Sequence, residues 1–205
     1  MNSDSKHGSR VRPLRERLRA ETAQAISAAA EQVFAEQGLH DARMEEIAAR
    51  AGVSVGTVYN HFEDRQALLA ELLESRRKEL AQRLDQALAA SAQEPFEGQL
   101  RNFVVTVFTH FEHHRQFLSI MLEGDQARLA QPSPAMREIR ARAETLVRRG
   151  LSKKALRPGP VDLLPGILWG AVKAVLIHDL RHPGALPVAD RAAAAVDFFL
   201  NGARA

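Results

Sequence analysis

The sequence predicts an all-α protein: a small N-terminal three-helix module joined by a long helix to a larger helical domain. Three observations carry this. Apolar residues recur at i, i+3, i+4 and i+7 along almost the whole chain, whereas alternation of period two is essentially absent. Of the 205 residues, 45% are hydrophobic, enough for a core of domain size. Glycine- and proline-bearing breaks at Gly38, Gly52, "SAQEP" (91–95), "QPSP" (131–134) and "RPGP" (157–160) cut the pattern into pieces of helical length.

The elements follow in order. A first helix runs from near Leu18 to Gly38, with Ile26, Ala29, Ala30, Val33 and Phe34 on one face. A short second helix carries Met44, Ile47, Ala48 and Ala51 and stops at Gly52. The next stretch, "AGVSVGTVYNHFEDR" (51–65), fits a core-facing helix badly, because it holds two glycines and the only tyrosine of the chain. Asp64 is placed to cap a long helix bearing Leu68, Leu69, Leu72, Leu73, Leu80, Leu84 and Leu88, to about Ala90. Beyond the break at 91–95 comes a stripe of Leu100, Phe103, Val104, Val107, Phe108 and Phe111. A phase shift near His113 to Arg115 begins a new face with Phe117, Leu118, Met121 and Leu122. Met136, Ile139, Ala143, Leu146 and Val147 mark a helix that fades around Gly150. The final pair, about 161–181 and 188–201, is apolar on more than one face, which demands burial from several sides.

Composition narrows the function classes. With no cysteine there is neither a disulfide nor a thiolate metal site. The start lacks the apolar core of a secretory signal, and the most apolar stretch, 163–177, contains Pro165 and Lys173 and falls short of the roughly 18–20 residues a membrane span needs. A cytoplasmic protein is expected, with no membrane partner. Net charge is +3, but residues 1–20 hold six basic side chains (Lys6, Arg10, Arg12, Arg15, Arg17, Arg19) against Asp4 and Glu16. Residues 1–19 thus read as a basic arm, suited either to a polyanion or to a solvated tail.

Helix, glycine-containing turn and short helix is the helix-turn-helix arrangement, here at about 43–62, in which the second helix enters the major groove. Gly52 turns the chain and Ser54 caps the helix that begins at Val55. Gly56 is the anomaly: inside a helix it costs about 1 kcal/mol relative to alanine, and close approach to a DNA backbone is a reason to omit a Cβ. Thr57 offers a hydroxyl and a methyl to base edges. Tyr59 and His61 have the reach for phosphates, Asn60 suits a base or backbone contact, and Arg65 supplies charge. Val53, Val58 and Phe62 form the buried side. The competing reading is a tight corner of a helical bundle with an incidental tyrosine.

"MEEIAARAGVSVGTVYNHFEDRQALLAELL", preceded by "AISAAAEQVFAEQG", resembles the N-terminal domain of TetR/AcrR-family transcriptional regulators over about Ala20 to Leu80. The resemblance implies a DNA-binding domain at 20–80 and a ligand-binding and dimerisation domain at 81–205. It also places Ser54, Val55, Gly56, Thr57, Tyr59, Asn60 and His61 at groove or phosphate positions. Arg65 stands where the family usually has a phosphate-contacting lysine. Arg43 replaces the usual Thr or Ser cap of the second helix: either Asp41 caps instead, or Arg43 exchanges the cap for a phosphate contact. Thr22, Ala23, Gln24 and Ala25 stand where the family often has basic residues, so phosphate contact near there would come from the earlier arginines.

In the remainder, Phe103, Val107, Phe108, Phe111, Phe117, Met121 and Trp169 are the side chains available to line an apolar effector pocket, although core packing alone explains their spacing. Leu164, Leu168, Val172, Val175, Val196 and Phe199 on the final pair are the expected homodimer interface, a four-helix bundle formed with a second copy. His110 and His114, like His178 and His182, are one helical turn apart, yet spacing fixes no partner carboxylate, so neither metal nor cofactor is expected. No G-x-S-x-G, Walker loop or H-E-x-x-H is present, and no enzyme is expected. The predicted function is a regulator, most simply a repressor, that binds a palindromic double-stranded operator and is released by an apolar or amphipathic small molecule. The alternative is a helical small-molecule-binding or structural dimer without DNA binding.

Overall fold

A computed structural model describes residues 8–127, 133–157 and 162–203. Among these there are nine helices and no strand: α1 (Gly8–Asp41), α2 (Met44–Ala51), α3 (Val55–His61), α4 (Arg65–Ala90), α5 (Phe96–His113), α6 (Arg115–Ala127), α7 (Pro134–Ser152), α8 (Leu164–Arg181) and α9 (Val188–Ala203). Lys6, Asp4 and most of the two proline-bearing breaks at 131–134 and 157–160 lie outside the described residues. The chain forms two compact units that divide within α4, between Leu72 and Leu73.

In the first unit α1 begins at Gly8, ten residues before the expected start near Leu18. Residues 14–36 are dominated by Ala, Arg, Leu, Glu and Gln, strong helix formers with no internal glycine or proline, so nothing stops the helix there. Arg15, Arg17 and Arg19 therefore stand exposed on a helix surface. Gly38 interrupts helical geometry with φ 82° and ψ 167°, as a glycine at a helix end can. The core of this unit is Ile26, Ala30, Val33 and Phe34 of α1, Met44, Ile47 and Ala48 of α2, Val58 of α3, and Phe62, Leu68 and Leu72 around the start of α4.

In the second unit α5 is the central helix, packed on α6, α7, α8 and α9, and its whole predicted stripe is buried. Gly150 on α7 is required by this packing: a Cβ there would lie 2.6 Å from the Phe96 ring and 3.0 Å from Leu156 Cδ1. Buried Gln99 donates to the Glu94 carbonyl (2.8 Å) and accepts from Arg149 (2.7 Å), so its amide is satisfied. Arg142 of α7 holds Asp85 of α4 through two hydrogen bonds of 2.7 and 2.6 Å.

The final pair differs from expectation in which face is buried. Leu164, Leu168, Val172, Val196 and Phe199 lie within the unit's own core, with Val175 half-buried. A side chain already out of water in a single chain has little area left to bury against a copy. The uncovered apolar side chains are Leu163, Ile167 and Phe198, at 59, 53 and 75% exposure. Beside them Gly166 and Gly170 of α8 and Gly202 of α9 are exposed, and a Cβ added to any of the three would meet nothing within 4 Å.

Candidate functional site

The helix-turn-helix is specified locally, residue by residue. Gly52 closes α2 in the left-handed conformation (φ 70°, ψ 28°), its N–H reaching the carbonyls of Ala48 and Ala49, while the N–H of Val53 also returns to Ala48. Ser54 then caps α3, its Oγ accepting from the N–H of Thr57 (3.1 Å) and lying 2.8 Å from the Thr57 hydroxyl. Three residues after the end of α3, Asp64 Oδ1 accepts from the Ala67 N–H at 2.7 Å and starts α4. Three short-range devices thus hold a seven-residue helix at a fixed angle between α2 and α4.

Only Val58 of α3 is buried, with Phe62 following at the helix end; Val53 is half-buried. Tyr59 is 50% exposed, Gly56 and Asn60 are exposed, and Val55, Thr57 and His61 are partly so. A helix that gives one side chain to its own core cannot be kept for packing alone. A Cβ built on Gly56 would meet only Ser54 Oγ, at 3.8 Å, so no described residue requires a glycine there.

The two departures noted in the sequence resolve differently. Arg43 occupies the N-cap position of α2 with extended backbone and no side-chain cap. Asp41 is the last residue of α1 and does not cap α2 either; the Arg43 carbonyl accepts from the N–H groups of Glu46 and Ile47. Arg43 is exposed. Arg65 is partly committed inside the unit: its Nη1 donates to the carbonyls of His40 and, at 3.2 Å, of Ala42, tying the start of α4 to the end of α1. Its remaining N–H groups are what it can offer to a phosphate. Sequence spacing did not reveal this contact, because the acceptors lie 23 and 25 residues away.

In the second unit the expected pocket residues separate. Phe103, Val107, Phe108, Phe111, Phe117 and Met121 are buried, and Phe111 and Phe117 stack at 5.9 Å. Trp169 is half-buried and lines a cleft of about 250 Å³ between α7 and α8, with Met136, Ile139, Arg140 and Glu144. A second cleft, about 310 Å³, lies between α8 and α9, lined by Val175, His178, Leu186 and Arg191. Neither cleft is lined by the six buried residues.

His110 sits among those aromatics, 5.4 Å from Phe111 and 6.2 Å from Phe117 between ring centres. It is fully buried, and among the described residues neither ring nitrogen has a hydrogen-bond partner. Burial first, then the neighbouring His114, push its pKa down to about 4; Glu79 opposes this, while Arg83 and Arg76 add to it. The unfolded chain therefore binds this proton before the folded one does. In metal-free protein the His110 contribution to stability should be intact above about pH 7 and be lost as pH falls from 6.5 toward 4, by about 3 kcal/mol in all. Urea melts at pH 7 and 4.5 check this, and His110→Leu should remove that part of the acid sensitivity.

The fold and the turn chemistry define a class, an all-helical protein with an N-terminal helix-turn-helix unit and a separate helical unit. Residues 26–72 match the family profile of bacterial regulatory proteins, tetR family. The HTH-type transcriptional repressor BepR of Brucella suis is 46% identical over 54 residues, which is 26% of this chain and 26% of that protein. The match therefore spans about a quarter of the relative's length. Solved structures match further: SmeT, repressor of the multidrug efflux pump SmeDEF of Stenotrophomonas maltophilia, superposes with TM-score 0.71 at 26% identity, over 88% of this chain and 89% of that one. FadR of Bacillus subtilis, solved with stearoyl-CoA, shares the fold with TM-score 0.71 at 18% identity, over 87% and 98%. Residues 26–72 are thus similar in sequence to tetR-family regulators, and most of the chain is similar in fold to solved regulators of that kind. Among its described residues no helix is long and apolar enough to cross a membrane.

Proposed function

We propose that the protein is a cytoplasmic, ligand-responsive repressor that binds a palindromic operator as a homodimer. The observation that carries this is α3: a capped seven-residue helix with one buried side chain and an outward face of Gly56, Tyr59 and Asn60. In a dimer, two such helices enter successive major grooves, with half-sites about one helical turn or more apart. Thr57 and Asn60 read base edges, Tyr59, His61, Arg43 and the free side of Arg65 meet phosphates, and the missing Cβ of Gly56 lets the backbones approach. Selection from random-sequence duplexes tests it: enrichment of a palindrome supports the proposal, and failure to retain any duplex at low salt overturns it.

The dimer face in this proposal is the uncovered patch of α8 and α9. Ile167 and Phe198 stand on it, and the bare glycines would let two copies approach closely. Phe198→Asp should weaken the dimer by roughly 30-fold or more, since a central aromatic anchor typically contributes 2 kcal/mol or above. Sedimentation of the variant checks it; an unchanged dimer would place the interface elsewhere.

The effector in this proposal is apolar or amphipathic and enters the Trp169 cleft, where an aromatic wall stands beside Arg140 and Glu144. Its preference for a subunit geometry with the wrong helix separation releases the duplex. Long-chain acyl-CoA, the ligand in the FadR structure, and cationic amphiphiles are the first compounds to test for duplex release.

A further inference from the structure

We propose that Glu79, His110 and His114 form a site for one divalent transition-metal ion of the zinc type, joining α4 to α5. One donor atom from each residue, a carboxylate oxygen and two imidazole nitrogens, lie within 4.8 Å of one another. The i, i+4 spacing sets both imidazoles on the same side of α5, ring centres 4.8 Å apart. His114 Nε2 is 3.3 Å from Glu79 Oε1. The sequence showed the histidine pair but no carboxylate; the packing of α4 supplies it from 31 residues before His110.

The second observation is His110 itself. A fully buried imidazole with both nitrogens unpartnered among the described residues carries a desolvation cost that none of them offsets. A bound cation offsets it by taking one lone pair, and the ring is held neutral, the form that coordinates. Burial pushes the Glu79 carboxyl up, but hydrogen bonding and charge from His114, with a hydrogen bond from Arg83, outweigh this and hold it below its usual range, so it is anionic. Two nitrogens and one oxygen suit zinc, cobalt or nickel and not calcium or magnesium, which require oxygen shells. Three protein ligands leave a fourth position open to water.

Two arginines compete for the carboxylate. Arg83 reaches Glu79 Oε1 at 2.8 Å and Arg76 reaches Oε2 at 3.2 Å. Arg83 is 39% exposed and can swing into solvent when the ion binds. The donors must draw together to share bonds of about 2.0–2.2 Å, which asks for side-chain rotation at the half-buried Glu79 and His114.

The test titrates the full-length, tag-free protein with Co²⁺ alone and then displaces it with Zn²⁺. One equivalent per chain should bind, with the visible absorption of a low-coordinate cobalt site. His110→Leu and His114→Ala should each weaken binding at least about tenfold, the scale on which even outer partners of a metal matter. Arg83→Gln should strengthen it by removing the competing cation. Melting of the metal-free His110→Leu protein guards against trivial unfolding: the variant should stay folded and lose the Zn²⁺-induced rise in Tm seen for the unaltered chain. Absence of stoichiometric binding overturns the proposal. So does binding that survives His110→Leu and disappears in the His178→Ala, His182→Ala double variant.

Discussion

Gly56→Glu is expected to weaken binding to the selected palindromic duplex about 100-fold or more, equivalent to about 2.7 kcal/mol, while the N-terminal unit stays folded. Its backbone φ is not positive, and a Cβ would meet nothing closer than 3.8 Å, so the chain itself tolerates a side chain there. Replacing glycine in a helix should even raise stability, by about 0.5–1 kcal/mol for Gly56→Ala. The same alanine adds a methyl to the face offered to DNA, and glutamate adds bulk and a charge of the same sign as phosphate. Stability and binding should therefore move in opposite directions, which a packing role for Gly56 would not produce. Tyr59→Ala removes one phosphate contact and should reduce affinity roughly tenfold with a shallower salt dependence. Fluorescence anisotropy across a salt series, beside thermal melts, measures both. Wild-type affinity in Gly56→Glu would mean that α3 does not face the groove.

The N-terminal unit was readable because each of its decisions is made within a few residues. Gly52 turns the chain, Ser54 satisfies the N–H three residues on, and Asp64 does the same for α4. Where the deciding partner is distant, the reading failed. Nothing near Arg65 announces that its guanidinium spans to His40 and Ala42. α1 begins at Gly8 and not near Leu18, because the basic residues of this stretch are also strong helix formers.

The C-terminal unit shows a different limit. A periodic stripe reports that one face of a helix leaves water, but not what covers it. Phe103, Phe108 and Phe117 are covered by the protein's own side chains, whereas Trp169 borders a cleft. For α8 and α9 the stripe runs nearly all round, and packing of α8 against α9, α7, α6 and α5 decides that Leu168 and Val172 turn inward and Ile167 outward. The carboxylate beside His110 is likewise a product of how α4 lies on α5.

The largest stability effect is expected from Asp179→Ala, a loss of about 3–5 kcal/mol from the second unit. Arg191 of α9 is 5% exposed; its Nη1 lies 2.6 Å from Asp179 Oδ2 on α8 and its Nη2 2.9 Å from Glu112 on α5. Its guanidinium also stands 5.9 Å over the Phe108 ring. Three helices thus converge on one buried cation. Removing Asp179, itself nearly buried, leaves that cation with only the half-exposed Glu112 and the distant ring, at full desolvation cost. A buried pair is worth little relative to an apolar pair of the same shape, so the double variant Asp179→Leu, Arg191→Met should recover most of the loss. Urea denaturation of the three proteins decides between a pair that stabilises by being complete and one that only fills space. If Asp179→Ala cost less than about 1 kcal/mol, Arg191 would have another route to solvent, and the junction of α5, α8 and α9 would be looser than its distances imply.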